Sequence, residues 1–338
     1  MSRWDDVNAR ARGLSTHLLS ASELQLLSRT TGLAALVNEL GRRGFPVSVE
    51  PIPTPAEVEL AVRRSASAAL GTLARWAGRR TPALAVIYED EDRKSLRAMV
   101  RGAAGGAATE ARLSGLIPTP ALPERALEEL ARQASVAAIA TLLLVWHNPY
   151  GQALAPLART AQPDSFAIDL VLDRTFAARA LSAARPAGAQ LLGFVRETVD
   201  IANAITAIVL SSAGRDVTPK EAFLPGGDRV SIGAFEEAAA AGGPVAAGVR
   251  LARAFAPGPL SSAFGDLAAD PAALEDEVLR IRVRALALRV RLEPLGPAPA
   301  LWFALRLRAQ VIDLQRIIWG AALAAPPADV AAALVTAG

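Results

Sequence analysis

The chain has no cysteine. A disulfide framework, a thiolate metal site and a cysteine nucleophile are thereby excluded, and a reducing compartment is the expected setting. Lysine is almost missing too, since Lys94 and Lys220 are the only two, and nearly every cation of this 338-residue chain is arginine. Histidine is confined to His17 and His147. They lie far apart without carboxylates at ligand spacing, so neither a metal nor an acid–base role is expected of them. Aromatics make up 5% of the residues and β-branched residues are scarce beside alanine, leucine and arginine, which favours helix and leaves little for a sheet. An excess of one charge is missing as well. The 36 basic residues face 33 acidic ones, giving a formal net charge of +3. Despite a sequence pI near 9.9, that balance lacks the one-signed stripe that nucleic-acid binding requires.

Long apolar runs are also lacking. The longest uncharged stretch, from Gln133 to Ala158, is interrupted by His147, Asn148, Pro149 and Gly151. The run left between Val136 and Trp146 is about half of the roughly 20 residues a membrane span takes. A buried helix is expected there, and no direct membrane insertion. Between Met1 and Leu14 the charges of Arg3, Asp5, Asp6, Arg10 and Arg12 leave no room for an export signal or an anchor. No phosphate-binding glycine loop, dinucleotide fingerprint, nucleophile elbow or H-E-x-x-H helix occurs. No catalytic, cofactor-binding or metal residue is therefore expected, and the chain reads as a structural or coupling protein, not an enzyme.

What is present is helical periodicity. Hydrophobic residues are 52% of the chain, enough for a large core. Proline and glycine clusters at 51–55, 118–123, 219–227, 257–259 and 294–299 mark turns between helices. Asp270 suits an N-cap and Pro271 the first helical position, and Leu274, Val278, Ile281, Ala285, Leu288 and Leu292 then form one amphipathic stripe. The alternation of apolar residues with arginine over 279–283 and 288–292 also fits an exposed strand, but the cap and the length favour helix. Leu191, Val195, Val199, Ala202, Ile205 and Val209 form a second stripe. Ala304, Leu307, Val311, Leu314 and Ile318 form a third, with Gly320 and the Pro326-Pro327 pair expected to end it.

Three segments share more than period. Asp92 and Ser95 in the first, Asp200 and Asn203 in the second, and Gln310 and Asp313 in the third occupy equivalent places at a near-constant interval. Each is followed by a glycine turn, with Gly102, Gly105 and Gly106 in the first unit, Gly214 in the second and Gly320 in the third. This predicts a triplicated all-α fold, with units at 1–123, 124–229 and 230–338. Asp200, Asn203 and Asp313 are expected to be buried polar groups that satisfy helix ends inside their own unit. The run Glu89-Asp90-Glu91-Asp92 before Arg93-Lys94 reads as a solvated helix face with Glu89–Arg93 and Asp90–Lys94 pairs. Arg280, Arg282, Arg284, Arg289 and Arg291 fit either an acidic partner or plain solvation.

At these residues the sequence resembles the C subunit of prokaryotic V-type (A-type) ATPases, called subunit d in the eukaryotic enzyme, essentially end to end. Asn8-Ala9-Arg10-Ala11-Arg12 is similar to the family's A-R-h-R opening, where h is apolar. Leu172-Asp173-Arg174-Thr175-Phe176 with Leu181 is similar to its L-D-x-x-Y/F helix. Glu197 to Asn203, followed by Phe223-Leu224-Pro225-Gly226-Gly227, resembles its central E-x-D-x-x-N-L element. Pro294-Leu295-Gly296 and Ala309 to Ile318 resemble P-L-G and A-x-E-V-x-N-L-R-x-I. Ser95 and Asp313 depart from the family's asparagine, and Ala204-Ile205 replaces leucine followed by a basic residue, which bears on partner contacts.

The resemblance implies three pseudo-symmetric helical units arranged as a funnel, with the N- and C-terminal segments packing together in the first unit. It implies a central-stalk rotor subunit, one copy per complex, which couples the central shaft to the membrane rotor ring for ion transport. Its place would be cytoplasmic, peripheral at the inner face of the membrane, and no cofactor, nucleotide or metal would be bound. Partner-interface candidates on or beside the repeated element are Arg93, Arg97, Arg196, Arg308 and Arg316. The rival reading is a free-standing all-helical scaffold of the same fold in another assembly. An enzyme with an unrecognised site ranks last, because the sequence displays no converging titratable groups.

Overall fold

Several helix starts follow the side chains able to satisfy free backbone amides. Ser20, Thr54 and Thr218 each accept from the amide three residues on and receive a glutamate in return, through Glu23, Glu57 and Glu221, forming capping boxes. Asp270 accepts from the Ala273 amide with Pro271 beside it, as the sequence predicts.

The computed structural model describes residues 4–48, 51, 53–78, 81–160, 163–212 and 218–337. Arg3 and Gly214 lie outside the described residues. Among those described there are eighteen α-helices and no strand. The N-terminal part holds α1 (Asp5–Ser15), α2 (Ala21–Ser28), α3 (Leu33–Arg42), α4 (Pro55–Ala77), α5 (Thr81–Ala104) and α6 (Thr109–Leu113). The middle holds α7 (Glu124–Ala131), α8 (Val136–Val145), α9 (Pro149–Leu154), α10 (Ser165–Ala184), α11 (Ala189–Ser211) and α12 (Pro219–Ala222). The last part holds α13 (Ile232–Ala239), α14 (Pro244–Phe255), α15 (Pro259–Leu267), α16 (Pro271–Leu292), α17 (Ala298–Ala322) and α18 (Pro327–Ala332).

Three large apolar clusters hold these helices. The first joins Trp4, Val7 and Leu24 near one end of the chain to Phe303, Leu314 and Leu334 near the other, with Phe176 and Leu191 between them. The second gathers residues from Phe166 to Ile281 around Phe235, Phe255 and Phe264. The third runs from Leu96 to Leu172. The second and third clusters therefore each span one of the divisions drawn at 123/124 and 229/230.

Two quoted motifs meet although nearly the whole chain separates them. Asn8 Nδ2 donates to the carbonyls of Pro294 (3.2 Å) and Gly296 (2.8 Å), and Arg12 donates to Pro294 as well. Nearby, the Leu19 amide donates to Gln310 at 2.6 Å. The opening helix is thus fastened to the turn before α17, and the turn that follows it to α17 itself.

Several expectations need correction. The α16 stripe holds through Leu274, Val278 and Ile281, but the buried face then passes to Arg282 and Leu286 while Ala285, Leu288 and Leu292 are exposed. The cause is Arg282, which stacks on Phe194 at 4.4 Å and donates to Thr198 (2.7 Å) and Glu197 (3.2 Å). Helix α8 is buried on one side alone, through Val136, Ile139, Ala140 and Leu143, with Leu144 and Val145 in solvent. Gly320 does not end α17. It sits inside the last turn, where a Cβ would meet Val330 Cγ2 at 2.6 Å, and the reversal falls to Ala324 at φ 54°.

Candidate docking cavity

The long helices α5, α10, α11, α16 and α17 converge on one cavity of about 1720 Å³, solvent at its mouth included. Ile201, Ile205, Val209, Leu279 and Ile312 supply apolar wall, and charged side chains supply the rest. The second stripe of the sequence divides here. Leu191, Val195 and Val199 enter the core, whereas Ala202, Ile205 and Val209 face the cavity.

The polar side of the cavity is built by two matched helices. Arg93, Arg97 and Arg101 recur every fourth residue on α5, and Asp169 and Asp173 do so on α10, so each set shares a helix face. Asp173 receives both Arg93 and Arg97, the latter at 2.7 Å, and Asp169 pairs with Arg97 at 3.3 Å and with Arg101. Arg93 also lies over the Phe176 ring at 4.6 Å and reaches Asp90 at 2.6 Å. Lys94 holds Asp90 (2.7 Å) and Glu91 (3.1 Å), and Glu91 meets Arg308 from α17 at 3.3 Å.

The acidic run is therefore no solvated face. Glu91, Asp92 and Arg93 are buried, Glu89 pairs with Arg179 of α10 rather than with Arg93, and of the two pairs read from spacing the Asp90–Lys94 one forms. The reason is that α10 covers α5 and brings its own charges. Burial alone would raise the Asp90 carboxyl, but the Lys94 and Arg93 cations outweigh it and hold it well below the usual carboxylate range. Burial likewise opposes the charge on Arg93, yet Asp173 and Asp90 overcome it and raise its pKa. Asp169 goes the other way, pushed up by burial that Arg97 and Arg101 only partly offset.

Of the five arginines singled out by sequence, Arg93, Arg97 and Arg308 line this cavity. Arg308 also donates to the Gly115 carbonyl at 2.9 Å. Arg196 and Arg316 do not line it. Arg196 is half-buried and pairs with Asp228 at 3.1 Å, and Arg316 pairs with Asp276 at 2.8 Å and donates to the Ala333 carbonyl. Neither Asp169 nor Asp173 is among the site residues the sequence points to, although Asp173 stands in the quoted Leu172–Phe176 motif. Their signal was there as a four-residue carboxylate spacing that mirrors the arginines of α5.

The repeat positions stand behind the cavity wall, buried. Asp92 accepts from the Thr119 hydroxyl. Asp200 accepts the amides of Asp228, Arg229 and Val230 at 3.0–3.1 Å. Asn203 exchanges two bonds of 2.8 Å with the backbone of Leu224. Asp313 accepts the Val335 amide at 2.6 Å and both the amide and hydroxyl of Thr336. Gln310 holds the Leu19 amide, and Ser95 is buried without a side-chain hydrogen bond among the described residues. In all three parts of the chain a polar side chain of a long helix thus fastens a turn farther along. Burial raises the carboxyls of Asp200 and Asp313, against hydrogen bonds that lower them. The Pro225-Gly226-Gly227 turn fits this role, since a Cβ on Gly227 would lie 2.0 Å from Asp200 Oδ1 and one on Gly226 2.3 Å from Leu181 Cδ1.

No histidine or cysteine lines the cavity, and among the described residues no group of acidic or histidine side chains is placed to hold a metal ion. What such walls offer is a recess of fixed charges around an apolar floor, suited to holding another macromolecule's surface in register. No helix among the described residues is long and apolar enough to cross a membrane. No curated protein matches the chain. The sequence motifs whose contacts are traced above all fall within residues 7–332, the span matched by the family model for the ATP synthase (C/AC39) subunit of V/A-type ATPases, and the chain belongs to that family.

Proposed function

We propose that this chain is the central-stalk subunit that couples the shaft of a V/A-type ATPase to its membrane rotor ring, without an active site of its own. The carrying observation is the cavity where α5, α11 and α17 converge, since these helices bear the three repeated polar positions. In this reading the units are related by approximate threefold symmetry and form a funnel that receives the shaft end. The subunit sits at the cytoplasmic face of the membrane, one copy per complex, touching ring and shaft without entering the bilayer.

Torque transfer asks for a body that deforms little. Close-packed helices with interdigitated apolar faces supply that, and the ion pairs between α5 and α10 fix the wall's charges in place. Arg97 and Arg308, partly accessible on that wall, are the arginines best placed to orient a shaft. Arg196 is the candidate for an outer contact.

Isolation of the intact ATPase tests the proposal. One copy of this chain per complex is expected, retained with shaft and ring after the catalytic head is stripped. Recovery of the chain solely as a free monomer defeats it.

A further inference from the structure

The last turns of α16 carry a face that the fold leaves unused. Leu288 and Leu292 are 57% and 70% exposed, one helical turn apart. Arg284 and Arg291 fall on the same side at the spacings that bring side chains together. Arg284, Arg289 and Arg291 are exposed and make no ion pair with any described residue. The acids closest to them in the chain are engaged, Glu277 by Arg280 and Glu293 by Gln190.

The same helix also walls a second cavity, about 820 Å³ with solvent at its mouth, between α16, α17 and the turn joining α1 to α2. Arg280, Arg284 and Arg306 line it beside Leu18 and Trp302, and no acidic side chain does. Arg306 gives Nη2 to the Leu19 carbonyl, while its Nη1 is buried with no hydrogen-bond partner. Asp313 attracts Arg306 but is already occupied by Val335 and Thr336.

An exposed leucine pair calls for apolar cover, and an unpaired buried guanidinium N–H calls for an acceptor, best an ionised one. A small anion would satisfy the arginines and leave the leucines wet. A flat anionic bilayer would meet the protruding residues but not the recessed Arg306. We propose that this face docks an acidic amphipathic helix of a partner protein, its apolar side on Leu288 and Leu292 and a carboxylate turned into the cleft toward Arg284 and Arg306. The inference extends the coupling reading, and its test does not depend on it.

The purified full chain is titrated into a labelled synthetic helix bearing a leucine stripe flanked by glutamates, with a lysine-for-glutamate version as control, and anisotropy is read. The acidic peptide binds and the basic one does not. The Arg284→Glu/Arg291→Glu and Leu288→Ser/Leu292→Ser variants each weaken binding at least about tenfold, a difference readily resolved in a dissociation constant. Arg132→Glu, at the residue that follows α7, leaves it unchanged. All substituted positions are exposed, and thermal melts matching the wild type establish folding. Equal binding by wild type and both double variants overturns the proposal, as does no binding at all. Phosphatidylglycerol vesicles that bind through these residues while the peptide does not also overturn it. Absence of the chain from an isolated ATPase would instead count against the coupling function and leave this result standing.

Discussion

Asp92 is the residue at which the fold's use of buried charge is most exposed to test. Burial raises its carboxyl to about 7, the Thr119 hydrogen bond working against this and the nearby Glu89 and Glu91 charges adding to it. A carboxyl raised in the folded state keeps a proton that the unfolded chain has released, so between about pH 4 and pH 7 folding takes up protons. Stability then falls as pH rises through that window and levels off above it. Asp92→Asn abolishes the titration while preserving an oxygen for the Thr119 hydroxyl. Urea denaturation of the wild type is expected to lose about 1–3 kcal/mol more across the window than the variant does, since the raised carboxyls of Asp169, Asp200 and Asp313 are common to both. Parallel curves for the two proteins would show that Asp92 is not the group involved.

At the scale of elements, the α5–α10 pairing is where local sequence logic was overruled. Spacing within one helix pointed to Glu89–Arg93 and solvent, but a helix surface also answers to whatever packs on it, and α10 arrives with Asp169, Asp173 and Arg179. Signals that act within a few residues were legible. They include the Asp270-Pro271 cap, the α17 stripe and the turns at proline and glycine clusters. Signals that need a distant partner were not, among them the drift of the α16 stripe toward Arg282 and, although the resemblance implies that the two ends pack together, the particular bonds of Asn8 to Pro294 and Gly296. The cavity was legible in part, since three of five chosen arginines reach it, but their carboxylate partners were not assigned. Asp173 is buried and receives two of those arginines. Asp173→Asn removes one of the two charges that compensate Arg93 and leaves Asp90 as the other, and about 3 kcal/mol of stability should go with it in urea denaturation. Adding Arg93→Met to Asp173→Leu should restore part of that loss, because neither partner is then left charged and alone. A double variant no better than Asp173→Asn would mean that packing, not charge compensation, sets the cost.

Across the whole molecule, the two ends of the chain share a core. Trp4 and Val7 pack in the cluster that holds Phe303, Leu314 and Leu334. Further ties cross between them: Asn8 to Gly296, Leu19 to Gln310, and Trp319 of α17 to Glu59 of α4 at 2.9 Å. The second cluster, around Phe235, Phe255 and Phe264, is composed of other residues. A body assembled this way should open in units that follow the cores rather than the order of the chain. Asn8→Ala with Gln310→Ala cuts two of the ties and leaves the Leu19 amide without its acceptor, a loss of about 1–3 kcal/mol. Hydrogen exchange followed by mass spectrometry should then accelerate in α1, α2 and α17 together, although most of the sequence lies between them. Helices α13, α14 and α15 should keep their protection. If exchange rises evenly along the chain, the ends are not a separable unit, and the molecule opens as a single cooperative body.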